Sequence, residues 1–280
     1  MSRGPRVSVI IPAFRARATL PAALASVATC GLPPSEIEVV LAPDDGDTYA
    51  DLPDHGLALT RCAHHHMATG AGPARNRAIT AARGDFIAFL DADDTWAPGY
   101  LATLLPLAEQ AGAAFGRTRI HYDEKTLLHL PGHQKAILCF EDFGHTGASF
   151  HPVTRRALAG PFCNRPSQDV LHAMEVLSLV GGRAPIGETA YHLSLDPQSA
   201  TAQAAFADRV DAAYRAHIRA IEAGETRIAT EHHAAAHAAF EAKARLNTAY
   251  MQAGSDRFFY QFMQDGLAGE ACAHNGGLPA

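Results

Sequence analysis

A chain of 280 residues, 48% of them hydrophobic, has enough apolar material for one large core, or a core with an appendage, and general disorder is excluded. A net charge of −6 without a long basic run argues against a nucleic-acid groove. Five scattered cysteines, Cys30, Cys62, Cys139, Cys163 and Cys272, contain no CxxC and fit a reducing compartment better than a disulfide framework or a zinc knuckle.

The first apolar run is short, stops at Pro12 and lacks a small-residue cleavage pattern, so it does not read as a secretory signal. No apolar stretch approaches the ~18 residues of a membrane helix. The expected location is the cytoplasm, with peripheral contact to the inner membrane face left open.

Val7 to Ile11 is a β-branched strand, expected to be central and parallel and to end at Pro12. A helix follows, with Thr19 as N-cap, Pro21 in its first turn and Leu20, Ala23, Leu24, Val27 and Ala28 on one face. Ile37 to Leu41 is a second strand, running into the acid-dense turn Pro43-Asp44-Asp45-Gly46-Asp47. These elements form a β-α-β unit, whose crossover should be right-handed. Neither GxGxxG nor a Walker loop follows the first strand, which argues against a dinucleotide domain and a P-loop enzyme.

Leu57 to Leu59 is a candidate short strand, and the spacing predicts a helix over 74–82. Phe86 to Leu90 is a buried strand that delivers Asp91-Ala92-Asp93-Asp94 at its C-terminal end, where open α/β sheets place ligands. Three carboxylates in four residues repel one another unless a positive charge joins them. A hard divalent cation, its shell completed by substrate phosphates, answers that need.

Pro98 starts the next helix, which ends at Gly112, and Ala113 to Ile120 is another strand. Residues 121–150 read as loop-rich, with Gly147-Ala148-Ser149-Phe150 as a short strand returning to the sheet. Arg155 to Leu158 reads as a helical turn, and Gln168-Asp169 precede a helix from Val170 to Leu179. From Ser199 to Ala253 the chain is Ala-rich and reads as two or three helices broken at Gly224. Two units are therefore expected, 1–198 and 199–280. The His64-His65-His66 run reads as a solvated loop. His233 and His237 have a metal-ligand spacing but no third ligand nearby in sequence. The Phe258–Met263 cluster is expected to pack back on the sheet rather than meet a membrane or partner.

Four separated motifs then agree: Val7 to Phe14, Asp44-Asp45-Gly46, Ala74-Arg75-Asn76-Arg77-Ala78-Ile79 and Gly84 to Asp94. In this order and spacing they resemble the family 2 glycosyltransferases. The resemblance implies a GT-A fold: an α/β, Rossmann-like, mixed but mostly parallel sheet flanked by helices, here with an α-helical C-terminal extension. It implies a nucleoside-diphosphate sugar donor, UDP being the first choice, and a glycan or lipid-linked acceptor.

On this resemblance Asp91-Ala92-Asp93 is the DxD motif. Asp93, with Asp91, would ligate Mg2+ or Mn2+. Pro12, Phe14, Asp45, Arg75, Asp91 and Ala92 would bind the nucleotide sugar, with Phe14 against the base and Arg75 supplying positive charge. Asp169 would be the general base of an inverting transfer. Asp47 replaces the usual Ser after the Asp-Asp-Gly turn, and Gln168 replaces the usual Glu before the base. Asn76 is expected to brace its loop, and His192 falls near where some relatives place a histidine by the metal. Homo-oligomerisation through the C-terminal helices stays open. The departures keep a non-catalytic nucleotide-sugar binder or scaffold as the alternative. A sugar nucleotidyltransferase is disfavoured because Pro12-Ala13-Phe14-Arg15-Ala16 is no Gly-rich phosphate loop.

Overall fold

A computed structural model of the chain describes residues 4–63, 68–122, 125–196, 205–254 and 259–265. Strands β1 (Val7–Ala13), β2 (Ile37–Pro43), β3 (Ala58–Arg61) and β4 (Phe86–Phe89) form the parallel half of a ten-stranded sheet. Strands β5 (Thr95–Trp96), β6 (Ala113–Tyr122), β7 (Lys125–Leu130), β8 (Ile137–Cys139), β9 (Pro152–Arg155) and β10 (Arg183–Ser194) complete it. The order is β3-β2-β1-β4-β9-β6-β10-β5, with β7 on β6 and β8 on β10. The antiparallel strand β9 sits between β4 and β6, so the sheet is mixed.

Alternation along the central strands sends side chains to two cores. Val9, Ile11, Val39 and Leu41 pack against Leu20, Leu24 and Val27 of α1 (Leu20–Ala28), and against Leu101, Leu104 and Leu105 of α3 (Tyr100–Ala111). Ile10 and Val40 face the other way, onto Ala74 and Ala78 of α2 (Ala71–Ala81). A third cluster joins α5 (Gln168–Leu179) to Phe115 of β6 and to Phe140 and Phe143 of α4 (Phe140–Gly144). Val210 and Tyr214 of α6 (Ala205–Glu222) and Phe240 of α7 (His233–Gln252) belong to the same cluster. The C-terminal helices thus share a core with the sheet.

Several expectations are corrected. Pro12 does not end β1: the parallel register continues through Pro12↔Ala42 and Ala13↔Pro43. Pairing with β4 stops at Ile10↔Phe89, so Pro12 lies where β1 has a neighbour on one side only, which a residue without an N–H tolerates. Helix α2 begins three residues early, because Pro73 suits a first turn. Helix α3 begins after Gly99 rather than at Pro98.

Residues 147–150 form no strand; β9, two residues on, makes the return. The 121–150 region contains β7, β8 and α4, and Arg183–Ser194, where the sequence pattern marks no element, is β10, beside β6. Gly224 does break the C-terminal helices, at φ +69°. Residues 259–265 form a last helical turn, and Met263 packs on Ile120 and Leu128 of the sheet, as expected of that cluster. The 198/199 boundary and His64, His65 and His66 lie outside the described residues.

Candidate active site

The C-terminal ends of β2, β1 and β4 lie side by side, and the loops that leave them carry three of the four motifs. After β2, buried Asp44 accepts hydrogen bonds from Thr69 N (2.8 Å), Thr69 Oγ1 (2.6 Å), Gly70 N (2.7 Å) and Arg77 Nη2 (3.1 Å). It pins the loop that opens α2. Burial favours the neutral acid, but these donors outweigh it and hold the Asp44 pKa below its ordinary value.

Asp45 accepts from Arg15 N, Tyr49 Oη (2.6 Å) and Asp47 N (3.0 Å), and so ties the β2 loop to the β1 loop. Asp47, the departure from the family turn, still closes it by accepting from Tyr49 N at 2.9 Å. Phe14 is 51% exposed, which rules out a core role for its ring. Its face lies 5.1 Å from the Arg15 guanidinium. Pro12 is half-buried beside it.

A cavity of about 720 Å³ opens next to these loops. Arg75, Asp91, Asp93 and Asp169 all line it. Pro12, Phe14, Asp45 and Ala92 do not line that cavity; the first three gather at the neighbouring strand ends, and the Ala92 methyl is buried in the sheet core. The structure therefore separates the expected site residues into one group inside the cavity, Arg75, Asp91, Asp93 and Asp169, and another beside it, Pro12, Phe14 and Asp45.

Arg75 is the centre of the inner end. Helix α2 buries it, and its Nη2 donates to Asp91 Oδ1. Its guanidinium lies 5.4 Å from the Phe162 ring. Asn76 braces that ring's backbone, with Nδ2 donating to Phe162 O and Oδ1 accepting from Phe162 N, both at 2.8 Å. Close approach is possible because residue 72 is glycine: a Cβ there would stand 2.2 Å from Cys163 O. Arg75 Nε and Nη1 are buried without a hydrogen-bond partner among the described residues.

The three acids differ sharply. Burial opposes the charge on Asp91, but Arg75 and His151 outweigh it and hold its pKa low. Asp93 is open to the cavity, yet burial in the concave site, then the charge of Asp91, pushes its carboxyl up to about 6. Asp94 is structural: Tyr191 Oη donates to its Oδ2 at 2.8 Å and Ser194 N to its Oδ1 at 2.9 Å, tying β10 to the acidic loop. Burial, reinforced by Asp93 and Asp91, raises its pKa well above the usual range.

Asp91 and Asp93 are the oxygen pair that fits a hard cation. Among the described residues no group of three or more His, Cys, Asp or Glu could hold a metal ion alone. Burial and the charge of Asp91 raise the Asp93 pKa, and a cation bound beside it would favour its ionised form. His233 Nε2 donates to Ile228 O, whereas His237 meets Glu222, so the two do not act as a pair. His192 stacks on His121, with ring nitrogens 2.8 Å apart.

Asp169 lies in the first turn of α5, after Ser167 at φ +56°. Helix α6 steadies this turn: buried His217 Nε2 lies 2.9 Å from Pro166 O. Helix α7 steadies the facing loop, with fully buried Lys243 donating through Nζ to Thr146 O and Ala148 O. Sequence reasoning missed His151, whose Nε2 lies 3.8 Å from Asp91 Oδ2, because its strand was placed too early. It also missed Tyr191, since β10 carries no clear alternation. The short Ser-Phe-His step after Gly147 was the available signal for His151.

The family model for glycosyl transferase family 2 matches residues 8–157, just over half of the chain. Among named relatives, a UDP-Glc:alpha-D-GlcNAc-diphosphoundecaprenol beta-1,3-glucosyltransferase, WfgD of Escherichia coli, is 34% identical over 92 residues, 32% of this chain and 36% of that one. The succinoglycan biosynthesis protein ExoO of Rhizobium meliloti (strain 1021) is 32% identical over 144 residues, 45% of this chain and 40% of that one. The matches cover only 30% to 48% of the length of these and the other curated relatives.

The crystal structure of S. aureus TarS 1-349 with UDP-GlcNAc superposes with a TM-score of 0.58 at 18% identity, over 76% of this chain and 66% of that one. The mannosyltransferase PcManGT from Pyrobaculum calidifontis, with GDP-Man and Mn2+, gives 0.53 at 16% identity, over 98% and 76%. These likenesses show the fold. With its four motifs on the strand ends and the family model spanning them, the chain belongs to glycosyl transferase family 2 and has the GT-A architecture.

Proposed function

We propose that the chain is an inverting glycosyltransferase that moves a sugar from a nucleoside diphosphate to a glycan or lipid-linked acceptor. One observation carries this reading: the buried Arg75 guanidinium, with Nε and Nη1 unpartnered among the described residues, in a cavity shared with Asp91, Asp93 and Asp169. A leaving diphosphate is the ligand that uses such a donor. UDP is the favoured nucleotide, supported by the UDP-GlcNAc bound to TarS and the UDP-Glc in the name of WfgD. Phe14 offers its exposed ring to the base, and Asp45 holds the loop beside it.

Asp169 takes the proton from the acceptor hydroxyl. The acceptor oxygen bonds to the anomeric carbon from the face opposite the diphosphate, and the bond from that carbon to the phosphate oxygen breaks, inverting the centre. Arg75 Nε and Nη1 donate to the departing oxygens while Asp91 keeps the guanidinium in place. Mg2+ or Mn2+, held by Asp93 and Asp91, would stabilise the charge that collects on the diphosphate.

Asp169→Asn is expected to keep UDP binding and lose transfer, measured by calorimetry and product formation; retained turnover removes Asp169 as the base. Asp93→Ala is expected to abolish Mn2+-dependent UDP binding, and unchanged calorimetric binding overturns the metal assignment. Among the described residues no helix is long and apolar enough to cross a membrane.

A further inference from the structure

Helices α6 and α7 lie side by side and antiparallel. Asn247 Nδ2 donates to Ala207 O at 2.9 Å, the Tyr214 and Phe240 rings meet at 5.9 Å, and His237 Nε2 lies 3.1 Å from Glu222 Oε1. Their inner sides carry Tyr214, Asn247 and Tyr250 to the cavity wall. Their outer sides form a second groove of about 420 Å³, which shares no lining residue with the cavity. Asp211, Arg215 and Ile218 of α6 face Glu241, Ala244 and Arg245 of α7 across it.

The antiparallel contacts place Asp211 level with Arg245, and Arg215 level with Glu241. The four charges therefore alternate in sign, both along each helix and across the groove. They are unequally held. Arg215 Nε donates to Asp211 Oδ2 at 2.9 Å, whereas Arg245 Nη1 reaches Glu241 Oε2 at 3.9 Å, too far for a hydrogen bond. Asp211 Oδ1 is buried and has no hydrogen-bond partner among the described residues. One wall of the groove thus holds an unmet acceptor, and the other a loosely held guanidinium that is 71% exposed.

A checkerboard of charge is its own complement. Turning a second copy about a two-fold axis along the groove lays α6 on the partner's α7. Asp211 then meets the partner's Arg245, and Arg215 meets the partner's Glu241, each contact occurring twice by symmetry. Every pair of neighbouring helices in the resulting four-helix bundle runs antiparallel, which sets the helix dipoles against one another favourably. Ala244 and Ala249 keep the rim low enough for close approach, and half-buried Ile218 supplies an apolar seat. The helices have 18 and 20 residues, so they are ~27 and ~30 Å long. Side by side they present an area on the order of the ~800 Å² per partner of a standard interface. A nucleic acid or an anionic bilayer selects a face of one sign, which this groove does not offer.

We propose that the outer α6–α7 face is a homodimer interface, with its two-fold axis along the groove and reciprocal pairing of Asp211 with the partner's Arg245. The cavities then lie on the sides of the bundle that face away from the partner and stay open, and the second copy braces the helices that wall them.

Sedimentation velocity and light scattering on the full chain, from about 5 to 100 µM, test this without any substrate. The parent should be a dimer over that range. Arg245→Glu replaces two attractive contacts by two like-charge ones, and should weaken association at least about tenfold. Asp211→Arg combined with Arg245→Asp makes α6 positive and α7 negative at the groove. About the axis along the groove opposite signs still meet, so association should return to within about threefold of the parent. About an axis across the groove like signs would meet, and association would stay lost. The proposal is overturned if the parent remains monomeric throughout, whatever else fills the groove, or if Arg245→Glu dimerises within about twofold of the parent. A double variant as weak as Arg245→Glu alone would refute the pairing and the axis together.

Discussion

Lys243 offers a sharp test of how the C-terminal helices are built into the site. It is 1% exposed, and among the described residues its ammonium donates to the carbonyls of Thr146 and Ala148. Burial lowers its pKa from 10.5 to about 7, with Asp169 pulling weakly the other way. The unfolded chain therefore binds more protons than the folded one between pH 7 and 10.5, and stability rises with pH across that window. For one group shifted this far, the gain from pH 7 to pH 9 is about 2 kcal/mol, and the contribution is flat below pH 7. Urea unfolding at pH 6, 7, 8 and 9 measures it, comparing the parent with Lys243→Met. The parent's curve should climb relative to the variant's by that amount between pH 7 and 9. Parallel curves would refute the reasoning, since they would mean that Lys243 keeps an ordinary pKa in the fold.

Two other substitutions probe the proposed diphosphate end. Arg75→Met leaves Asp91 without its main counter-charge. It is expected to destabilise the fold by about 3 kcal/mol, at the low side for a broken buried pair because Asp91 opens to the cavity. UDP affinity should fall with it; urea unfolding within 1 kcal/mol of the parent, an order-of-magnitude bound, would contradict the pairing. Gly72→Ala places a methyl against Cys163 O and must push α2 outward. A loss of about 1–3 kcal/mol is expected, together with weaker calorimetric UDP binding, because Arg75 lies one helical turn on. Parent-like values in both measurements would show that α2 has room to spare.

The half of the molecule around the C-terminal ends of β1, β2 and β4 was legible in the sequence because its signals are local. A β-branched run, a helix at 3.6 spacing and the acids after β2 and β4 can all be read without knowing what lies across the sheet. Asn76 was expected to brace its loop, and it holds Phe162 by two hydrogen bonds. Asp91-Ala92-Asp93-Asp94 was visible as crowded carboxylates. The sequence could not say that the three would take different states. That division depends on Arg75 and His151 around Asp91, on Tyr191 and Ser194 around Asp94, and on the cavity around Asp93.

The half built by β9, β10 and the C-terminal helices was illegible because its order is long-range. Strand β10 hides in a sequence without clear alternation and is fixed by pairing with β6, some seventy residues earlier. Residues 147–150 look extended by composition, yet Lys243 and Phe259 hold them as an irregular wall. The sequence alone determined the family, the sheet's parallel half and the chemistry that gathers at its strand ends, since those follow from short-range pattern and fixed motif spacing. Only the tertiary structure decided which acids are pushed toward and which away from ionisation, and that the C-terminal helices wall the cavity, because those shifts follow from burial and neighbours and walls are built by residues distant in the chain.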